Sequence, residues 1–202
     1  MKKQEKTELT REKILQAAMQ EFGRNGYAAT GINIICSRHG ISKGLLYHNF
    51  AGKDDLYLIC VEKCFSEVIA YLQEGLKQVN LQQYLELRFH YFTENPLCAG
   101  VFFEALLQPP KELSDRIKEI KRDFEQFNRR IYSTALSEMT LRPGVTGEEA
   151  LEYYEIMQDM FNCYFGSPAY AGRNMQSVIT EHESRLAKML DFMLYGIAER
   201  RE

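Results

Sequence analysis

Much that would announce an enzyme, a secreted scaffold or a membrane protein is missing from this sequence. It has no tryptophan, five prolines and four histidines among 202 residues. The histidines (His39, His48, His90, His182) are dispersed, no glycine-rich loop follows a strand, and no nucleophile stands at a recognisable spacing from a base. The pattern therefore gives no reason to expect an enzyme, a metal centre or a cofactor. Cysteines are odd in number and scattered (Cys36, Cys60, Cys64, Cys98, Cys163), without a Cys-x-x-Cys pair, which argues against a disulfide framework. Cys60 and Cys64, one helical turn apart, read as small apolar residues in a reduced interior. The longest apolar runs, such as residues 56–61, are far too short to span a bilayer. The first ten residues are charged and polar, without the apolar core of a signal peptide, so a cytoplasmic protein that does not engage a membrane is expected.

Scarce proline and absent β-branched alternation leave an apolar period of three and four, the pattern of an all-α chain. Helices are expected over residues 10–25 (Thr10 as N-cap, Gly26 as left-handed stop), 31–38, 42–50, 53–78, 81–93, 97–108, 111–139, 147–165 and 175–200. The breaks are Asn95-Pro96, Pro109-Pro110, Arg142-Pro143-Gly144 and the small-residue stretch 166–174. Charge is unevenly shared. Residues 1–55 hold nine Lys or Arg against six Asp or Glu, +3, and the remainder holds 16 against 22, −6. The positive excess lies where attraction to phosphate needs it.

The stretch from Thr30 to Lys53 carries the most information. Ile32 and Ile35 face inward from one short helix, His39 and Gly40 make a turn, Ile41 plugs the corner, and Ser42 caps a second helix. Leu46 and Phe50 anchor that helix, leaving Lys43, Gly44, Leu45, Tyr47 and His48 outward. Three short helices around a glycine-centred turn are the helix-turn-helix geometry. Gly44 permits close approach, Lys43 suits a guanine edge or a phosphate, and Leu45 suits a thymine methyl. Tyr47 and His48 suit phosphates, and Lys53 adds its charge to the N–H groups opening the next helix. That helix follows without a linker, so a continuous rod couples the reading unit to the rest.

The run Gly26-Tyr27, Thr30, Ile35, Gly40-Ile41-Ser42-Lys43-Gly44, Leu46-Tyr47, Phe50, Lys53 and Leu56 resembles the DNA-binding domain of TetR-family repressors. The resemblance covers about 50 residues; beyond them the chain is similar to the family only in length and helical layout. It implies DNA contacts from Thr30, Ser42, Lys43, Gly44, Leu45, Tyr47, His48, Asn49 and Lys53. Gly31 stands where the family often has Thr or Ser, and Asn49 where it often has His or Tyr. It further implies a homodimer on a palindromic operator, released when a small molecule enters the C-terminal part. On this reading residues 1–52 form the DNA-binding domain, and 53–202 form a helical effector-binding and dimerisation domain.

Two expectations follow for the larger part. Stripes on the last two helices (Tyr154 and Phe165; Leu186, Met189, Leu190, Met193 and Ile197) suit a four-helix interface between two copies, with an intramolecular core as the alternative. A dense set of aromatic and polar side chains is a candidate lining for an apolar effector of unknown class: Phe65, His90, Tyr91, Phe102, Phe103, Glu104, Phe127, Met157, Phe161 and Tyr164. The competing reading of the whole chain is a helical protein-interaction module without sequence-specific DNA binding.

Overall fold

The computed structural model of the chain describes residues 3–196. Among these residues there are nine α-helices and no strand. They are α1 (Lys3–Ala29), α2 (Ile32–His39), α3 (Lys43–Asn49), α4 (Lys53–Gly75), α5 (Leu81–Glu94), α6 (Pro96–Leu107), α7 (Ser114–Ser137), α8 (Gly147–Phe165) and α9 (Met175–Tyr195). A 3-10 turn, Lys111–Leu113, precedes α7.

The all-α expectation holds, with corrections at the ends. α1 begins seven residues before Thr10, and Gly26 breaks it in a different conformation from the one expected. Its φ of 75° and ψ of 172° are extended rather than left-handed helical, a region open essentially to glycine alone. Gly40 does take the left-handed helical conformation, with φ 62° and ψ 34°. α4 stops at Gly75 instead of residue 78, and α7 starts at Ser114 after the 3-10 turn. α9 closes at Tyr195, where Gly196 adopts φ 85° and its N–H reaches the Phe192 carbonyl. Caps explain several starts: Ser42 accepts from the Leu45 N–H, Thr146 from Glu149 and Asn174 from Ser177.

Two compact units form. One gathers the described residues up to Glu67 with Asn95–Phe124, the other Val68–Glu94 with the described residues from Glu125 on. A division after Gly52 does not coincide with this partition, because residues 53–67 of α4 and all of α6 pack with the first three helices. The first unit is centred on Phe22, Ile35, Leu46, Leu56 and Tyr57, all fully buried, with the Phe22 and Tyr57 rings edge-on at 5.0 Å. Deeper in it Phe65 lies 4.3 Å from Phe102. α1 and α6 meet backbone to backbone. A Cβ on Gly100 would lie 2.3 Å from the Gly23 carbonyl oxygen, and one on Gly23 would lie 2.5 Å from that of Leu97.

The second unit is built on Phe161, Phe165, Leu186 and Leu190, and on Tyr132 stacked over Tyr154 at 3.8 Å. A buried polar network crosses it. Arg88 of α5 forks onto Glu183 of α9 at 2.7 and 3.0 Å and donates to the Tyr84 hydroxyl. His182 lies 3.1 Å from both Glu183 and Asn162.

Candidate nucleic-acid interface

The turn between α2 and α3 is specified locally. The Gly40 backbone closes α2, the Ile41 N–H returns to the Cys36 carbonyl at 3.0 Å, and Ile41 is buried. Leu46 and Phe50 anchor α3 inward, as their spacing predicts, and Lys43, Gly44, Leu45, Tyr47 and His48 are exposed. Leu45 keeps 42% of its surface and Tyr47 56%, an apolar and aromatic presentation that the free chain does not use. Gly44 has no intramolecular reason to be glycine: a Cβ there would touch nothing within 4 Å. In a helix such a glycine costs about 1 kcal/mol against alanine.

Two expected contacts need correction, and a third is held in place by its neighbours. Thr30 is buried, and its hydroxyl donates to the Glu21 carbonyl at 3.1 Å, so it braces the turn between α1 and α2 and does not face out. Asn49 is half-buried; its amide donates to the Leu45 carbonyl at 2.8 Å and its own carbonyl accepts from Arg11. Lys53 is also half-buried, with its ammonium 3.8 Å over the Tyr27 ring. Asp54 and Asp55 share the first turn of α4, and Asp55 accepts from the Ala51 N–H just before the helix, so two carboxylates already stand at that positive helix end.

Other residues that brace the element escaped the sequence reading. Arg11 of α1 lies 4.4 Å over the Phe50 ring, clamping the end of α3. Glu21 is buried and receives Arg38 at 2.7 Å, with His39 at 3.1 Å and Asn25 at 3.2 Å. A carboxylate on the inward stripe beside Ala18 and Phe22 was the available signal for that hub. Glu104 of α6 accepts the Tyr27 N–H with both oxygens and the Tyr57 hydroxyl at 2.9 Å. Burial pushes its carboxyl above the ordinary range, against these hydrogen bonds and the Lys53 charge.

Residues 14–59 match the model of the bacterial regulatory proteins of the tetR family. Over that segment the chain is similar to the TetR family. The chain is 27% identical over 105 residues to the HTH-type transcriptional regulator UidR of Escherichia coli K12, a match covering 50% of this chain and 54% of that protein. It thus spans about half the length of that curated relative. Its fold is that of the fatty acid degradation regulator FadR from Bacillus halodurans, with a TM-score of 0.64 at 15% identity over 95% of this chain and 97% of that one. FadR from Bacillus subtilis, solved in complex with stearoyl-CoA, gives 0.63 at 17% identity over 93% and 99%.

The residues expected to line an effector site fall into both units. Phe65, Phe102, Phe103 and Glu104 belong to the first, and His90, Tyr91, Phe127, Met157, Phe161 and Tyr164 to the second. Two corrections follow from exposure. His90 faces solvent, and Tyr164 is 51% exposed with Arg185 at 3.4 Å from its hydroxyl. Glu104 is held by Tyr27 and Tyr57.

The dimer set also changes. Tyr154, Phe165, Leu186 and Leu190 are buried within the chain and serve as its core, while Met193 is half-buried, Met189 is exposed and Ile197 lies outside the described residues. The other face of α8 instead leaves Tyr153, Ile156, Met160 and Tyr164 exposed at helical spacing, and α9 leaves Met189, Phe192 and Tyr195 exposed. The strongest heptad stripe is the one the chain buries itself. No helix among the described residues is long and apolar enough to cross a membrane.

Proposed function

We propose that the chain is a transcriptional regulator that binds a palindromic DNA operator as a homodimer through α3 and leaves it when a small-molecule effector binds. On this reading residues 1–52 are the DNA-reading module and 53–202 serve effector binding and dimerisation in the cytoplasm, with no catalytic role. The observation that carries the reading is Gly44: an exposed helical glycine between Lys43 and Leu45, with empty space around it, makes sense where another molecule comes close. A major-groove floor is such a surface, and Lys43, Leu45, Tyr47 and His48 are the chemistry that reads it. The stearoyl-CoA complex of Bacillus subtilis FadR, which shares the fold, supports a small-molecule effector without fixing its class here.

A gel shift with the DNA upstream of the protein's own coding sequence, at two salt concentrations, tests the reading. Specific retention with a steep salt dependence is expected; no retention at either salt sinks it in favour of a protein-interaction module. In the same assay Gly44→Ala is expected to move two measurements in opposite directions. The fold gains about 0.5–1 kcal/mol from the better helix former. Operator affinity falls about tenfold or more, the scale of one lost base contact.

The exposed stripes of α8 and α9 support the dimer. Met160→Glu sets a charge in the middle of the α8 stripe, where the free chain has solvent and can tolerate it. Sedimentation at micromolar protein is expected to show monomer for this variant and dimer for the wild type, with matching helical content. A Met160→Glu protein that remains dimeric places the interface elsewhere.

A further inference from the structure

Where α1 breaks at Gly26, the N–H groups beyond the break need acceptors from outside the helix. The Tyr27 N–H finds Glu104, whose two oxygens lie at 2.9 and 3.0 Å, and the Tyr57 hydroxyl adds a third hydrogen bond to the same carboxylate. The approach is close: a Cβ on Gly26 would sit 2.8 Å from Glu104 Oε1. Glu104 is also presented at a fixed height, because Gly100, one turn earlier in α6, is seated on the backbone of Gly23. Tyr27 carries the constraint onward. Its hydroxyl donates to Asp54 at 2.6 Å, and its ring lies beneath the Lys53 ammonium at 3.8 Å. One carboxylate of α6 thereby fixes Tyr27, and Tyr27 fixes the opening turn of α4, three residues past the C-cap of α3.

We propose that Glu104 is a positioning residue for DNA binding, setting through Tyr27 where the Lys53 ammonium meets the phosphate backbone. Operator affinity then depends on a carboxylate that never touches DNA. The inference rests on the DNA-binding reading above and takes Lys53 as a phosphate contact.

The test uses the full chain with Glu104→Ala, Glu104→Gln and Tyr27→Phe. One readout is fluorescence anisotropy on labelled DNA from upstream of the coding sequence, at about 50 and 200 mM salt. The other is hydrogen exchange of the free protein. Glu104→Ala is expected to weaken binding about tenfold and to lower the salt slope by about 0.9, the signature of one lost phosphate contact. Amide exchange should rise both at residues 27–29 and at residues 53–56. Glu104→Gln keeps an acceptor oxygen for the Tyr27 N–H, so its affinity should return to within about threefold of wild type and its slope should be restored. A Glu104→Ala protein that melts earlier yet keeps the wild-type affinity and slope overturns the proposal, as does exchange that rises at residues 27–29 and stays unchanged at 53–56. Should Glu104→Ala fail to fold, Tyr27→Phe cuts the link to Asp54 while leaving the backbone bond to Glu104. Faster exchange at residues 53–56 in that variant supports the proposal and unchanged exchange overturns it. Wild-type protein that ignores the DNA at both salts refutes the regulator reading instead, and exchange at residues 53–56 then decides the role of Glu104.

Discussion

Replacing Arg88 by alanine is expected to destabilise the second unit by about 3–5 kcal/mol, the scale of breaking a buried ion pair by removing one partner. Arg88 and Glu183 are both almost fully buried and joined by two short hydrogen bonds, so truncating Arg88 leaves the Glu183 carboxylate buried beside His182 without its cation. Replacing both, as Arg88→Met with Glu183→Leu, removes the stranded charge and is expected to cost far less. Denaturant unfolding followed by helical signal separates the two results; an Arg88→Ala protein within about 1 kcal/mol of wild type would contradict the assignment. The network also sets an acid limit. Burial alone would raise the Glu183 carboxyl, but the Arg88 charge and the hydrogen bonds from His182 and Arg88 prevail and hold it at about 2. Because that value is depressed, its stabilisation is complete above the unfolded carboxyl value of about 4.3 and is lost as pH falls towards about 2. His182 acts in the same direction. Burial holds it below its ordinary value, so the unfolded chain binds the proton first and stability begins to fall below about pH 6.5.

Gly100→Ala is the second large effect, and its sign runs against helix propensity. Alanine normally gains about 1 kcal/mol over glycine inside a helix. Here the added methyl would sit 2.3 Å from the Gly23 carbonyl oxygen, and neither backbone has a side chain that can rotate away. α6 must therefore back off α1, at a cost of about 3 kcal/mol, the upper end for overpacking. That retreat also carries Glu104 away from the Tyr27 N–H. A thermal melt is expected to fall for Gly100→Ala and to rise for Gly44→Ala, which has open space at the same atom. If the two alanines shift stability alike, the close approach of α1 and α6 is refuted.

The contrast between those glycines shows what a sequence reveals and what it withholds. Gly40, Ile41 and Ser42 act within a few residues of themselves, so their turn, corner and cap were legible from local spacing, as were the inward Leu46 and Phe50. Gly23 and Gly100 lie 77 positions apart, and nothing local to either marks the contact. Thr30 looked like a groove-side hydroxyl because its neighbours suggest a helix start, yet its partner is a carbonyl nine residues earlier. Glu104 stands among aromatics in the sequence and looked like a group aimed at a ligand; its partners, Tyr27 and Tyr57, come from α1 and α4. The dimer stripe misled for a related reason. A heptad of large apolar residues is equally suited to a partner copy and to the chain's own core, and here Leu186 and Leu190 went to the core.

The uncovered face of α8 and α9 bears finally on dosage. On the proposed regulator reading, with Tyr153, Met160 and Phe192 satisfied only by a second copy, the species competent to read two half-sites is scarce whenever the protein is dilute. Below the dimer dissociation constant, occupancy of a palindrome rises with about the second power of protein concentration. A twofold change in synthesis would then change occupancy about fourfold, giving the controlled genes a threshold set by the strength of one apolar seam rather than by the groove contacts themselves.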